Sequence, residues 1–117
     1  MKKIVYLLLA FTLTVGAQQS IDPTFEKEGK LTKVTYFHQD GSIAQKGFLK
    51  NKKLHGNWTS YDPSGNKLSM GTYEMGMKNG QWFFWKDNDL IEVIYDNNKI
   101  VNVLEWRSDE KVVAELN

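Results

Sequence analysis

The stretch Gly56-Asn57-Trp58-Thr59-Ser60-Tyr61-Asp62-Pro63-Ser64-Gly65 opens a pattern that starts again at Gly80-Gln81-Trp82-Phe83-Phe84-Trp85. The offset is 24 residues from Gly56 to Gly80, from Trp58 to Trp82 and from Tyr61 to Trp85. One spacing at a glycine and two aromatics marks a tandem repeat. One period upstream, Trp58 maps to Val34, Tyr61 to Phe37, Gly65 to Gly41 and Gly71 to Gly47. Downstream, Trp82 maps to Trp106, Gly65 to Asp89 and Gly71 to Tyr95. Three units begin near Thr32, Gly56 and Gly80. A fourth, near Leu104, is degenerate because Asp109 stands where an aromatic is expected. End repeats are atypical because they face water or close the stack.

Within each unit the residues predict two strands and a turn. Lys33-Val34-Thr35-Tyr36-Phe37 is β-branched and aromatic, and Asp40-Gly41 is a tight-turn pair before Ser42–Leu49 returns. Asn51–His55 reads as a polar loop ending at Gly56. In Asp62-Pro63-Ser64-Gly65, Asp, Pro and Gly stand at the first, second and fourth positions of a type I turn. Further reversals are expected at Asn79-Gly80, Asp87-Asn88-Asp89 and Asp96–Lys99, with Val112 and Val113 adding an edge contact. No mature segment keeps a period near 3.6, so no helix is expected there. The predicted fold is all-β, an antiparallel meander of hairpins in which each repeat stacks on its neighbours. A lone hairpin is marginal in water, so the repeats depend on one another.

The chain has 117 residues, enough for one domain, and no cysteine. That excludes a disulfide framework, a thiolate metal site and a lipid-anchored cysteine. Met1-Lys2-Lys3, an apolar run from Ile4 to Val15 and the small residues before Gln18 resemble a secretory signal peptide. The expected cut follows Ala17, and the run is short of the ~20 residues of a spanning helix. Residues 18–30 then form a polar leader, with Phe25 placed to pack on the first strand, and residues 31–117 form the repeat domain. The mature chain keeps 13 basic and 14 acidic residues, a net charge of −1. Such a chain has no electrostatic reason to bind nucleic acid or an anionic membrane, and it is expected to be exported, to the periplasm or beyond, with no insertion in the membrane.

Chemistry is sparse. His38 and His55 lie 17 apart, not at equivalent repeat positions, and no ligand spacing for zinc surrounds them. Asp87-Asn88-Asp89 begins like a calcium loop, but position 98 is Asn where a Glu is required. Asp62, Asp96 and Asp109 also sit at or near turns, and no serine stands in a nucleophile elbow. No catalytic residue, metal or cofactor is expected, and the chain is read as a non-enzyme. The aromatics are the informative set. Trp58, Trp82 and Trp106 are assigned to the core, where a ring buries ~150–250 Å². Alternation puts Thr59 and Tyr61 on the other face from Trp58 and Ser60. So short a chain cannot cover both faces of a sheet. Tyr61 and Trp85, with Tyr73, are therefore the candidate binding residues.

At Gly56-x-Trp58-x-x-Tyr61-x-x-x-Gly65 and Gly80-x-Trp82-x-x-Trp85, with Ile43 and Leu68 after the turn glycine, the chain resembles the MORN-repeat variant family. It is most similar to exported bacterial members with this repeat length, the YwqK-like group. The resemblance covers roughly residues 32–107; Asp89 and Asp109 depart from it. It implies a β-hairpin array that acts as a binding or scaffolding module; the expected partner is another protein of the cell envelope or the secreted fraction. A glycan, bound through open aromatics, is the alternative ligand. Some members carry an antitoxin label, which fits poorly with export from the cytoplasm where a toxin is met. Others carry the label of nicotinic acid mononucleotide adenylyltransferase. That activity needs a Rossmann-type fold with a His-containing phosphate loop, and Lys53-Leu54-His55-Gly56 lies between strands.

Overall fold

The computed structural model describes residues 20–107 and the backbone of Lys111–Val112. The expected signal peptide, Asp109 and Val113 lie outside the described residues. The described chain is all-β: β1 (Thr24–Glu28), β2 (Leu31–Phe37), β3 (Ile43–Lys50), β4 (Lys53–Tyr61), β5 (Lys67–Glu74), β6 (Met77–Lys86), β7 (Asp89–Asp96), β8 (Lys99–Trp106) and β9 (Lys111–Val112). They form one antiparallel sheet whose spatial order is the chain order. This is the meander that the repeat predicts.

β1 lies inside the stretch read as a leader. Gly29 turns the chain at φ 63°, and Phe25 then pairs with Val34. Its residues are exposed throughout and alternate with charge (Glu26, Lys27, Glu28), the composition of a protected sheet edge.

Two reversals differ from the sequence expectation. Gly56 and Gly80 do not close hairpins; they lie within β4 and β6. The turns are Asn51-Lys52 and Met75-Gly76, each with two successive positive φ values, as is Asn97-Asn98. That is the backbone of two-residue hairpins whose twist matches the sheet. Gly56 and Gly80, at φ 78° and 74°, form bulges. Across β3–β4 the register runs Phe48↔His55 and then Lys46↔Thr59, so Gly47 alone faces Gly56, Asn57 and Trp58. Across β5–β6, Gly71 faces Gly80, Gln81 and Trp82 in the same way.

The bulges create the core. Trp58 lies over Gly47 and Trp82 over Gly71, and a methyl group built on either glycine would overlap the indole. Each indole N–H reaches the carbonyl of the residue after its glycine: Trp58 to Phe48 at 2.9 Å, Trp82 to Thr72 at 3.0 Å. The same tryptophans pair forward with Gly71 and Val93. One row therefore crosses the sheet as Val34, Gly47, Trp58, Gly71, Trp82, Val93 and Val103. Every buried hydrophobic side chain among the described residues, Val34, Trp58, Trp82 and Val93, belongs to it. Tyr73 stands edge-on to Trp58 and Trp82 with centroids 6.1 and 4.9 Å away, and Tyr95 edge-on to Trp82 at 6.2 Å. Lys78 Nζ lies 5.5 Å from the Trp82 ring and 5.2 Å from Tyr95.

Successive repeats are joined by backbone docking as well. The Gly76 N–H donates to the Leu54 carbonyl at 2.7 Å, and the Asn98 N–H to Lys78 at 2.9 Å. His55 Nδ1 accepts from the Met75 N–H, and Asn79 Oδ1 accepts from the Asn97 N–H. His55 and Asn79 are 24 apart, so one side chain per unit caps the next unit's turn.

Two outcomes follow. Gly71→Ala should lower stability by about 1–3 kcal/mol, since an overfilled site must push its neighbour aside; urea unfolding followed by Trp fluorescence reads this. His55→Asn should unfold at the wild-type midpoint, whereas His55→Ala should lose about 1 kcal/mol. Equal losses in the two His55 variants would refute the capping role.

Candidate functional site

The face opposite the tryptophan row has no second layer among the described residues. Its organisation follows from strand alternation and from a change in repeat length. Phe37, Tyr61 and Trp85 are three residues beyond Val34, Trp58 and Trp82 and so point to the other side. Phe37 and Tyr61 end β2 and β4, and Trp85 is the last residue but one of β6. Trp85 pairs with Leu90 and Leu90 with Trp106. Trp106 is thus on the open face.

This corrects the assignment of Trp106 to the core series. The β4–β5 hairpin turns through Asp62–Asn66 but β6–β7 through Asp87 and Asn88 alone, so the path from Trp82 to its partner Val93 is two residues shorter than that from Trp58 to Gly71. The bulge between β7 and β8 holds one extra residue, Val101, where the earlier ones hold two. The third unit is therefore 21 residues long. Val103 takes the place of Trp82, and Trp106 takes the place of Trp85. An odd deficit moves a strand's whole side-chain set to the opposite face. No glycine lies beneath Trp106; its indole N–H instead donates to Glu92 Oε1 at 2.9 Å.

Four aromatics, Phe37, Tyr61, Trp85 and Trp106, therefore stand on alternate strands in one row, all half-buried. Between them lie Ile43, Lys67 and Leu90, their register partners. Leu68 bulges out beside Lys67 and is 43% exposed. Phe83 stacks on Trp85 at 6.2 Å and 30°. Beside the row runs an open groove of about 1030 Å³, lined by Lys46, Tyr61, Met70, Thr72, Phe83 and Ile94 among others. Lys46 Nζ lies 5.8 Å from the Tyr61 ring. At the turn end a cleft of about 800 Å³ brings Trp85 and Leu68 beside Asp62, Lys67, Lys86 and Asp87.

Of the three candidate binding residues, the structure brings Tyr61 and Trp85 together and sets Tyr73 apart. Tyr73 is on the tryptophan face, wedged between Trp58 and Trp82. Gly41 and Gly65 close the β2–β3 and β4–β5 turns, donating to His38 and Asp62. Phe37 and Trp106 were missed as members of the open row. The shorter third hairpin shows in the sequence, but its even deficit does not move Trp106 to the other face; the bulge that does so is set by strand pairing.

The titratable groups hold the frame. Asp62 Oδ1 accepts from the Asn66 and Ser64 N–H groups, both at 2.9 Å. These bonds, the Asn66 backbone first, hold its carboxyl below the ordinary value. Asp40 is lowered in the same way by the Ser42 hydroxyl and N–H. His38 Nε2 donates to the Tyr61 carbonyl at 2.9 Å, fixing the strand end that carries Tyr61. No group of three metal-ligating side chains occurs among the described residues. Burial raises the Tyr73 hydroxyl, with Tyr95 adding to it, and burial raises Tyr95.

Neither a protein-family model nor a curated protein matches this chain.

A raised tyrosine pKa favours the folded state while the phenol is neutral. That contribution is complete below the ordinary value of roughly 10 and is lost as pH rises through the raised one. The melting temperature should therefore fall as pH rises across that interval, and Tyr73→Phe should flatten the fall. Absorbance at 295 nm, which follows phenolate formation, checks the assignment.

Proposed function

We propose that this protein is a non-enzymatic binding module of the exported fraction, and that the open aromatic face is the surface with which it binds. The carrying observation is the asymmetry of the two faces. One aromatic series lies on glycines with its indole N–H groups satisfied. The other stands as a half-exposed row over a groove, with no layer above it among the described residues. Contiguous apolar surface of this kind marks interaction sites. Aromatic side chains supply large contact area with few rotatable bonds, which limits the entropy lost on binding.

Another protein of the envelope or the secreted fraction is the first partner class, in keeping with the binding or scaffolding role that the family resemblance implies. A glycan is the second reading, and the regular placement of the aromatics on alternate strands favours it. Export past the membrane, expected from residues 1–17, would place the face where either is met.

The test is capture of partners from the host's exported fraction by the tagged protein, read by mass spectrometry. The double variant Tyr61→Ala/Trp85→Ala should keep the fold, since both residues lie outside the buried row, and should lose whatever the wild type retains. Retention by a folded double variant would overturn the assignment of this face.

A further inference from the structure

We propose that the open face binds a single extended chain of β-1,4-linked pyranose sugars, laid across the strands with alternate sugars stacked on Phe37, Tyr61, Trp85 and Trp106. This rests on the reading that the open face is the binding surface, and it names the ligand class.

The spacing carries it. The four rings occupy β2, β4, β6 and β8 at equivalent positions of their units. Neighbouring strands are ~4.8 Å apart, so successive rings are separated by about 9–10 Å and the row spans about 29 Å. In an extended β-1,4-linked chain each pyranose is turned over relative to the last. The same face therefore recurs once per disaccharide, a length close to this separation. The axial C–H groups of a pyranose carry partial positive charge and suit the negative face of an aromatic ring.

A peptide fits less well. An extended peptide presents side chains on one side every two residues, or about 6.6–6.8 Å, out of step with the rings. The strands' backbone groups are already paired across the sheet interior, so a peptide crossing them gains no main-chain ladder.

The polar surroundings agree with a neutral, hydroxyl-rich ligand. The cleft beside Trp85 holds Lys67 and Lys86 against Asp62 and Asp87, two charges of each sign. A neutral chain meets no net field there, and its hydroxyls meet both donors and acceptors. The twist of the sheet turns each ring relative to the last, which suits a separate soluble chain over a flat crystalline surface.

The experiment titrates the full chain with soluble β-1,4-linked oligomers of glucose, N-acetylglucosamine and xylose, followed by Trp fluorescence and calorimetry. At least one series should bind. Its Kd should fall by about tenfold per added disaccharide up to about seven sugars, where the row is filled, and then level off. α-1,4-linked glucose oligomers of equal length, which coil, should bind at least about tenfold more weakly. Trp85→Ala should weaken binding by about tenfold or more, and Tyr36→Ala, an exposed ring on the opposite face, should not. Trp85→Leu serves if the alanine variant loses its far-UV signal or its unfolding midpoint. Binding by no β-1,4 series, equal binding of α-1,4 chains, or equal effects of the Trp85 and Tyr36 variants would overturn the proposal. If no sugar binds but the Tyr61/Trp85 variant loses a captured protein, the open face stands as the binding surface and the glycan falls. If neither is seen, both fall.

Discussion

A tryptophan lying on a glycine of the neighbouring strand is the contact on which this sheet depends. A single β layer has no opposing layer to bury its side chains against, so its apolar surface must be covered from within. Gly47 and Gly71 leave the backbone bare, and Trp58 and Trp82 fill that space. The indole N–H then bonds a carbonyl beside the glycine, so the ring is buried without leaving a polar group unpaired. Each ring spans two strands and faces a third, tying one unit to the next. Among the described residues ion pairs contribute little to this: Arg107–Glu105 is at 4.0 Å, with the arginine exposed and the glutamate half-buried.

That arrangement requires the bulges. Three residues of β4 or β6 must pass one glycine of the strand before, and Gly56 and Gly80 take the positive φ that the detour demands. The repeat glycines thus serve two distinct needs, backbone conformation at Gly56 and Gly80 and empty volume at Gly47 and Gly71. The covered face also frees the other. Since Trp58, Tyr73 and Trp82 satisfy one another on one side, the aromatics three residues further on need not be packed and stand available on the opposite side.

The change from 24 to 21 residues in the third unit has a structural effect larger than its size. A hairpin two residues shorter between its paired residues leaves side-chain parity intact, whereas the missing bulge residue inverts it. Trp106 leaves the core row, Val103 takes its place, and the open row gains a fourth ring. The sheet gives up one tryptophan anchor near its last strands and extends the aromatic face by two strands.

The amino-acid sequence by itself determined the fold class, the order of strands and the alternation of two aromatic series. Each rests on local physics: β-branched and aromatic runs, Asp-Pro-Ser-Gly and Asn-Asn turns, and a period visible in Trp58, Trp82, Tyr61 and Trp85. The sequence also placed Phe25 against the first strand, though not opposite Val34 in particular. What only the tertiary structure decided is register. Whether Gly56 bends a strand or ends it, whether Tyr73 faces a ligand or wedges between two indoles, and which face Trp106 occupies all depend on how many residues each bulge holds. A bulge is set by pairing between strands, and one residue more or less moves every following side chain across the sheet. A 24-residue spacing counts positions along the chain, but the face a residue occupies is counted across it.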